Sequence, residues 1–174
     1  MKLFKNLFLI LTLTSILISC SSDDTHIPTS SEKIIGNWEL NMFNVVGTET
    51  TTVGTEDPIE ATISSVGGTF TETFSKFTHP NTFQNSGSFL LITKTTIGEE
   101  VVEKQEITQF NASGTWKIEG DKLTITDGDN NPVYDIIELS DKVLKLKGST
   151  ETTTTLGSTV VVVDLNTNLT FEKK

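Results

Sequence analysis

Few residues of this chain could carry catalytic chemistry. His26 lies close to the N-terminus, which leaves His79, in the segment THPNT, as the one histidine within the main body of the chain. Nucleophilic catalysis of the Ser/His/Asp kind needs a histidine within hydrogen-bond reach of the nucleophile. No G-x-S-x-G segment is present to supply that nucleophile. We therefore interpret His79 as a solvent-exposed turn residue, and we expect the protein not to be an enzyme.

Two acidic segments could in principle serve as a glycosidase pair and as a metal site. The glutamates of the first would fall on both faces of a strand, which is typical of a solvated edge; they are Glu99, Glu100, Glu103 and Glu106. In the second, Asp127, Asp129 and Asn131 alternate as ligands of a calcium loop do, but Pro132 occupies the position that requires glycine. The sequence therefore favours a hairpin turn here, and we expect no metal and no cofactor.

The composition limits the classes of partner. The chain of 174 residues has 13 basic residues, all of them lysine, against 23 acidic ones, which gives a net charge of −10. That charge disfavours nucleic acid and anionic lipid head groups as partners. The single cysteine excludes an internal disulfide. Abundant threonine, valine and isoleucine suit β-strands rather than long helices.

The N-terminus has the features of an exported lipoprotein. A lysine-bearing start precedes an apolar run over residues 7–18, which is shorter than the ~20 residues that a membrane span needs. The segment LISC, which ends at Cys20, resembles the lipobox of bacterial lipoproteins. Residues 1–19 are therefore predicted to be a signal peptide, with an ordinary secretory signal as the alternative. The resemblance implies that Cys20 carries acyl chains such as palmitate, which hold the protein on a membrane.

A polar tether is predicted to follow the lipidated cysteine, over residues 20–33. It contains Pro28 and shows no periodicity. The segment SSDD behind Cys20 resembles the surface-export signal of Bacteroidota lipoproteins, and a generic acidic linker is the alternative. The resemblance implies an outer-membrane or cell-surface location. One folded domain is predicted over residues 34–174, and the sequence carries no signal for a particular oligomeric state.

Alternating apolar and polar residues predict an all-β domain. In GTWKIEGDKLTIT, Trp116 and Ile118 share one face, and Gly120-Asp121 forms a tight hairpin turn. The last strand, in VVVVDLNTNLTFEKK, alternates equally clearly, and DKVLKLKG places Leu144 and Leu146 on the inner face. Turn signals recur at short intervals along the chain. Roughly eight to ten antiparallel strands, in a barrel or a sandwich, fit this spacing.

Two segments leave alternatives open. In TFTETFSKF, the spacing of Phe70, Phe74 and Phe77 is that of a helix, whereas the interspersed threonines favour a strand with mixed faces, which we predict. The segments 47–55 and 148–159 look alike, through either shared composition or a duplicated half-barrel. Both are predicted to be exposed strand ends or long hairpin tips that could pair with each other.

The tryptophan segments resemble a known family. Gly36-Asn37-Trp38, ahead of the first strand, resembles the G-x-W opening of lipocalins, in which the tryptophan closes one end of an up-and-down barrel. The Trp116 hairpin is similar to that of lipocalin-like domains in short Bacteroidota lipoproteins. The resemblance covers residues 32–173 and implies an antiparallel up-and-down barrel, with Gly36 and Trp38 as the fold motif. The T-D-Y element of lipocalins is absent, and without arginine only Lys173 could cover Trp38 late in the chain.

The resemblance implies a barrel that binds a small apolar or amphipathic ligand. Eight strands leave an interior that side chains fill or that holds one small ligand. The residues predicted to line it are Trp38, Leu40, Met42, Phe70, Phe74, Leu91, Trp116, Ile118 and Tyr134. The alternative is a non-enzymatic interaction module with a filled barrel, contacting protein or glycan through threonine-rich loops. An interior void would favour the first hypothesis.

Overall fold

The computed structural model describes residues 30–129 and 131–174, and these residues form one short helix and nine strands. The predicted signal peptide, Cys20 and the predicted tether up to residue 29 lie outside the described residues. None of the described helices is long and apolar enough to cross a membrane. The elements are α1 (Ser30–Lys33), β1 (Gly36–Val53), β2 (Ile59–Thr78), β3 (Thr82–Ile97), β4 (Glu100–Gln109), β5 (Ala112–Glu119), β6 (Lys122–Thr126), β7 (Val133–Leu139), β8 (Val143–Leu156) and β9 (Thr159–Lys173).

The strands form one antiparallel sheet that closes into a ring. Its order is β2-β1-β9-β8-β7-β6-β5-β3-β4, and β2 also pairs with β3. Eight strands therefore complete the ring, while β4 pairs only with β3 and lies outside it. The predicted all-β, up-and-down barrel is confirmed. Within the ring, closure of the sheet leaves no unpaired strand edge.

The wall of the barrel is higher on one side than on the other. Strands β5, β6 and β7 have 8, 5 and 7 residues, whereas β1 and β2 have 18 and 20. Six strands continue past the short ones as an open sheet in the order β4-β3-β2-β1-β9-β8. We call this sheet the extension; it comprises residues 44–53, 59–66, 91–97, 100–106, 149–156 and 159–166.

The two similar threonine-rich segments both lie in the extension. Thr50 of β1 pairs with Val162 of β9, and Val162 pairs in turn with Thr153 of β8. The segments are therefore strand ends on opposite sides of β9. The expectation that they pair with each other is wrong, because the valine-rich start of β9 lies between them.

A β-bulge in β2 explains the unusual spacing of its phenylalanines. The whole segment is a strand, as predicted, but its register with β3 shifts between Thr71 and Phe74, where Glu72 has a positive φ of 47°. One extra residue in a strand reverses the faces that follow it. Phe77 is consequently buried, whereas Phe74 lies opposite Glu39 and faces outward. The predicted inward orientation of Phe74 is thus wrong.

A second bulge reverses the predicted orientation of Met42. The register of β1 with β9 shifts between Leu40 and Met42, so that Leu40 pairs with the buried Phe171 and Met42 with Thr170. Met42 is 43% exposed, whereas Leu40 is fully buried. Alternation alone would have kept both residues on one face.

Trp38 closes the barrel at the end where β1 begins. Its side chain is 0% exposed, and the indole N–H donates a hydrogen bond of 2.6 Å to the carbonyl oxygen of Ile34. Lys173, at the end of β9, covers the ring from the other side. Gly36 has a φ of +137°, and a β-carbon at that position would lie 2.7 Å from Lys173 Cε. The G-x-W segment thus needs its glycine for the backbone conformation, whereas the flexible Lys173 side chain could move away from an added β-carbon.

A candidate ligand cavity in the barrel

An apolar cavity of about 180 Å³ lies inside the barrel. Its lining is aromatic and aliphatic except for Ser75, Asn85, Asp127 and the hydroxyl of Tyr134. The apolar lining consists of Phe77, Phe83, Phe110, Ala112, Leu123, Ile125, Pro132, Leu146, Leu169 and Phe171. A few polar groups in an otherwise apolar concavity are typical of small-molecule sites.

An aromatic cluster beside Trp116 forms the deep part of the cavity wall. Phe77 packs edge-on against Trp116 with ring centroids 6.0 Å apart, and it lies 6.4 Å from Phe83. Phe77, Phe83 and Trp116 are all buried. The indole N–H of Trp116 donates to the carbonyl oxygen of Thr82 at 3.1 Å, which fixes the ring across the β2–β3 turn. This part of the wall is therefore rigidly packed.

A second aromatic cluster lies toward the extension and is centred on Phe89. The Phe89 ring is 5.0 Å from that of Phe43, 5.6 Å from Phe70 and 6.4 Å from Phe110. Phe110 also lines the cavity, so it separates the cavity from this second cluster. Offset and edge-to-face rings of this kind stabilise one another beyond their buried area.

The backbone around Gly87 positions Phe110. Phe110 lies in the connection between β4 and β5, and its N–H donates to the carbonyl oxygen of Gly87 at 2.8 Å. Gly87 has a φ of +104°, and a β-carbon there would lie 2.2 Å from the carbonyl oxygen of Glu72. Only glycine fits this close approach, which occurs where β3 changes its partner from β5 to β4.

Two polar residues of the cavity lie at different depths: Asp127 is at the rim, and Tyr134 is opposite Leu123 in the interior. Asp127 follows Ile125 by two positions at the end of β6 and is half-buried. Tyr134 lies on the neighbouring strand, and burial raises the pKa of its hydroxyl above the usual value. Pro132 lines the same cavity and is exposed, so the rim reaches solvent.

The nine residues predicted to line a ligand site fall in different places. Tyr134 lines the cavity. Trp38, Leu40 and Trp116 belong to the core around it, and Phe70, Leu91 and Ile118 pack against that core without lining the cavity. Met42 and Phe74 lie on the outer face of the barrel wall, as described above.

Several cavity residues were absent from the predicted lining. Leu146, Leu169 and Phe171 follow the alternation of β8 and β9, so the sequence pattern could have indicated them. Phe83 also alternates with Asn85 directly after the β2–β3 turn. Phe110 lies in a connection, where no periodicity exists to indicate its direction.

The other chemistry-bearing residues lie away from the cavity. His79 is exposed in the β2–β3 turn. Glu103 of β4 accepts a hydrogen bond from Gln105 at 2.9 Å and pairs with Lys94 at 3.4 Å, and both partners lower its carboxyl pKa. Among the described residues, no group of three His, Cys, Asp or Glu side chains could hold a metal ion. Every buried side-chain nitrogen or oxygen of the described residues has a hydrogen-bond partner.

Comparison with known proteins gives one match. A family model described as a lipocalin-like domain matches residues 34–146. The match begins just before β1 and ends within β8, so it includes both tryptophan segments and most cavity-lining residues. Neither the curated proteins nor the solved structures include a match to the chain.

Proposed function

We propose that this chain, which belongs to the lipocalin-like domain family, binds one small apolar or amphipathic molecule inside its barrel. The family assignment indicates a barrel of the small-ligand-binding type. The observation that supports the proposal for this chain is the apolar cavity of about 180 Å³. A filled barrel, the alternative, would leave no such void.

The volume of the cavity limits the size of the ligand. An apolar cavity of about 150 Å³ holds a benzene molecule, whereas pockets for drug-sized ligands have about 300–1,000 Å³. The cavity therefore suits a single ring or a short aliphatic chain. Burial of such a group against Phe77, Phe83 and Leu123 supplies the binding free energy, at about 25 cal/mol per Å² of apolar surface removed from water. The polar groups of the lining orient the ligand.

A cavity-filling variant tests this proposal. Ala112 lines the cavity, whereas the next residue, Ser113, is exposed. Calorimetric titration of the mature chain, made soluble by Cys20→Ala, should show one bound 1-hexanol or benzyl alcohol per chain. Ala112→Leu should abolish that binding, and Ser113→Leu, the matched control, should leave it intact. Binding that survives in Ala112→Leu, or absence of binding in the parent protein, would show the proposal to be wrong.

We also propose that Cys20 anchors the protein by its acyl chains to the outer membrane, facing the cell surface. The support is the sequence of the export signal, since two or more acyl chains hold a protein stably on a bilayer. Cys20→Ala should move the protein from the membrane fraction to the soluble fraction. Ser19→Ala, a neighbouring change that keeps the thiol, should leave it in the membrane fraction. An unchanged distribution of Cys20→Ala would contradict the anchor.

We propose further that the protein acts by binding rather than by catalysis. The family is generally one of non-enzymatic binding proteins. The ionisable side chains that line the cavity are one carboxylate, Asp127, and one phenol, Tyr134. His79, the one histidine among the described residues, lies in the β2–β3 turn and does not line the cavity.

A further inference from the structure

We propose that the cavity selects amphipathic ligands that carry a protonated amine at one end, and that Asp127 is the residue that recognises this amine. The inference rests on the proposed ligand-binding function and defines the ligand class more narrowly. It follows from where Asp127 lies, from the charges around it and from the polar residues that line the same cavity.

The inner face of β6 runs from a fully apolar end to a charged one. Leu123 is 0% exposed, Ile125 is half-buried and Asp127 is half-buried, and the three residues alternate along one face. All three line the cavity. Asp127 therefore lies where β6 reaches the rim, and the apolar wall continues below it. A ligand with its polar end at the rim would place its apolar end against Leu123.

The charge of Asp127 is not balanced within the described part of the chain. None of the ion pairs among the described residues includes Asp127, and no lysine lines the cavity. A half-buried carboxylate next to an apolar wall favours a cationic partner, and it disfavours a second carboxylate. The net charge of −10 for the whole chain likewise favours a cationic ligand over an anionic one.

The remaining polar lining suits an ammonium group. An ammonium has three donors and no acceptor. Asp127 and Asn85 line the same cavity, and their side chains carry a carboxylate and a carbonyl oxygen as acceptors. A fatty-acid carboxylate would meet Asp127 and no cation among the lining residues. The ligand class is therefore an alkylamine or arylalkylamine with a tail short enough for the cavity.

Three probes that share a six-carbon chain and differ in their head group test this inference. n-Hexylamine, 1-hexanol and hexanoate should be titrated calorimetrically at neutral pH into the mature Cys20→Ala chain. We expect n-hexylamine to bind about tenfold more tightly than 1-hexanol, which corresponds to one charge-assisted hydrogen bond, and hexanoate to bind more weakly than both. Asp127→Asn should remove the preference for the amine and leave the affinity for 1-hexanol unchanged.

Asp129→Asn provides the matched control. Asp129 lies two residues further on, is exposed and does not line the cavity, so its loss changes the net charge equally. This variant should keep the preference for n-hexylamine. Equal affinities for the three probes, or equal effects of the two asparagine variants, would overturn the inference while leaving the proposed function intact. If none of the probes binds, the proposed function itself fails.

Discussion

The ammonium nitrogen of Lys173 lies 5.0 Å from the centre of the Trp38 ring and donates a hydrogen bond of 2.9 Å to the carbonyl oxygen of Lys33. One side chain near the end of the chain thus holds both the tryptophan that closes the barrel and helix α1 that precedes it. The chain contains no arginine. Lys173 is the cation that lies over Trp38, as the sequence predicts.

We expect Lys173→Ala to lower the free energy of unfolding by about 1–2 kcal/mol, since it removes a cation–π contact and a hydrogen bond to a partly buried carbonyl. Lys173→Arg should lose less, because a guanidinium also stacks on an indole ring. Urea unfolding followed by tryptophan fluorescence measures both changes. Lys174, which pairs with Glu39 at the surface, is the matched control; its alanine variant should unfold like the parent protein. Equal loss in the two alanine variants would contradict the role assigned to Lys173.

Gly87→Ala should destabilise the barrel by about 3 kcal/mol or more. The new β-carbon would lie 2.2 Å from a backbone oxygen of the adjacent bulge, in a conformation with φ of +104°. Gly98→Ala is the control, because Gly98 has a positive φ of 59° but no atom within 4 Å of the added carbon. Thermal unfolding of the two variants separates the steric effect from the conformational one. A smaller loss in Gly87→Ala than in Gly98→Ala would show that the close approach is absent.

Phe74 and Phe77 lie on opposite faces of β2, so their substitution by alanine should change the free energy of unfolding by different amounts. Phe77→Ala removes a buried ring that contacts Phe83 and Trp116 and should cost about 3–5 kcal/mol. Phe74→Ala removes a ring from the outer wall and should cost about 1 kcal/mol or less. Chemical denaturation of both variants measures the difference. The reverse order would show that the register of β2 is the one that a continuous strand without a bulge would have.

The burial of Tyr134 predicts how stability changes at high pH. Burial raises the pKa of its hydroxyl, so the folded state holds this proton more tightly than the unfolded state, in which the pKa is about 10. Stability owed to this group is complete below about pH 10 and falls as the pH rises through the folded-state pKa. Tyr134 is the only tyrosine of the chain, so tyrosinate absorbance follows it alone.

The native protein should titrate at higher pH than the protein in urea. Tyr134→Phe should lose less stability than the parent protein between about pH 10 and the folded-state pKa. Lysines that titrate in the same range affect both proteins equally, and the comparison therefore isolates the phenol. Coincident titration midpoints in the native and unfolded protein would show that the hydroxyl is exposed.

Periodicity predicted those parts of the fold in which a strand keeps its register. The β5–β6 hairpin pairs Glu119 with Lys122 around the predicted turn, and β9 alternates to its end as expected. Phe74 and Met42 were misplaced because each follows a bulge. Glu72, at one of these bulges, is an ordinary residue for a strand, and its positive φ arises from the crossing with Gly87 rather than from its own preference.

The candidate site was harder to predict than the barrel. Its wall combines residues of β2, β3 and β5 to β9 with Phe110, which lies in a connection. Which of these residues line the void depends on the unequal lengths of the strands and on the change of partner by β3. Neither property follows from local alternation. Tyr134 was predicted to line the interior and does so, whereas Asp127 was considered only as a calcium ligand or as part of a hairpin turn.

One end of the barrel is closed, and the other end is open to solvent. The N-terminal segment enters at the end closed by Trp38, whereas the cavity approaches solvent at the opposite end, by Pro132 and Asp127. With the anchor that we propose at Cys20, the predicted tether would join the membrane to the barrel at its plugged end. The entrance of the cavity would then lie at the end of the barrel that carries no attachment.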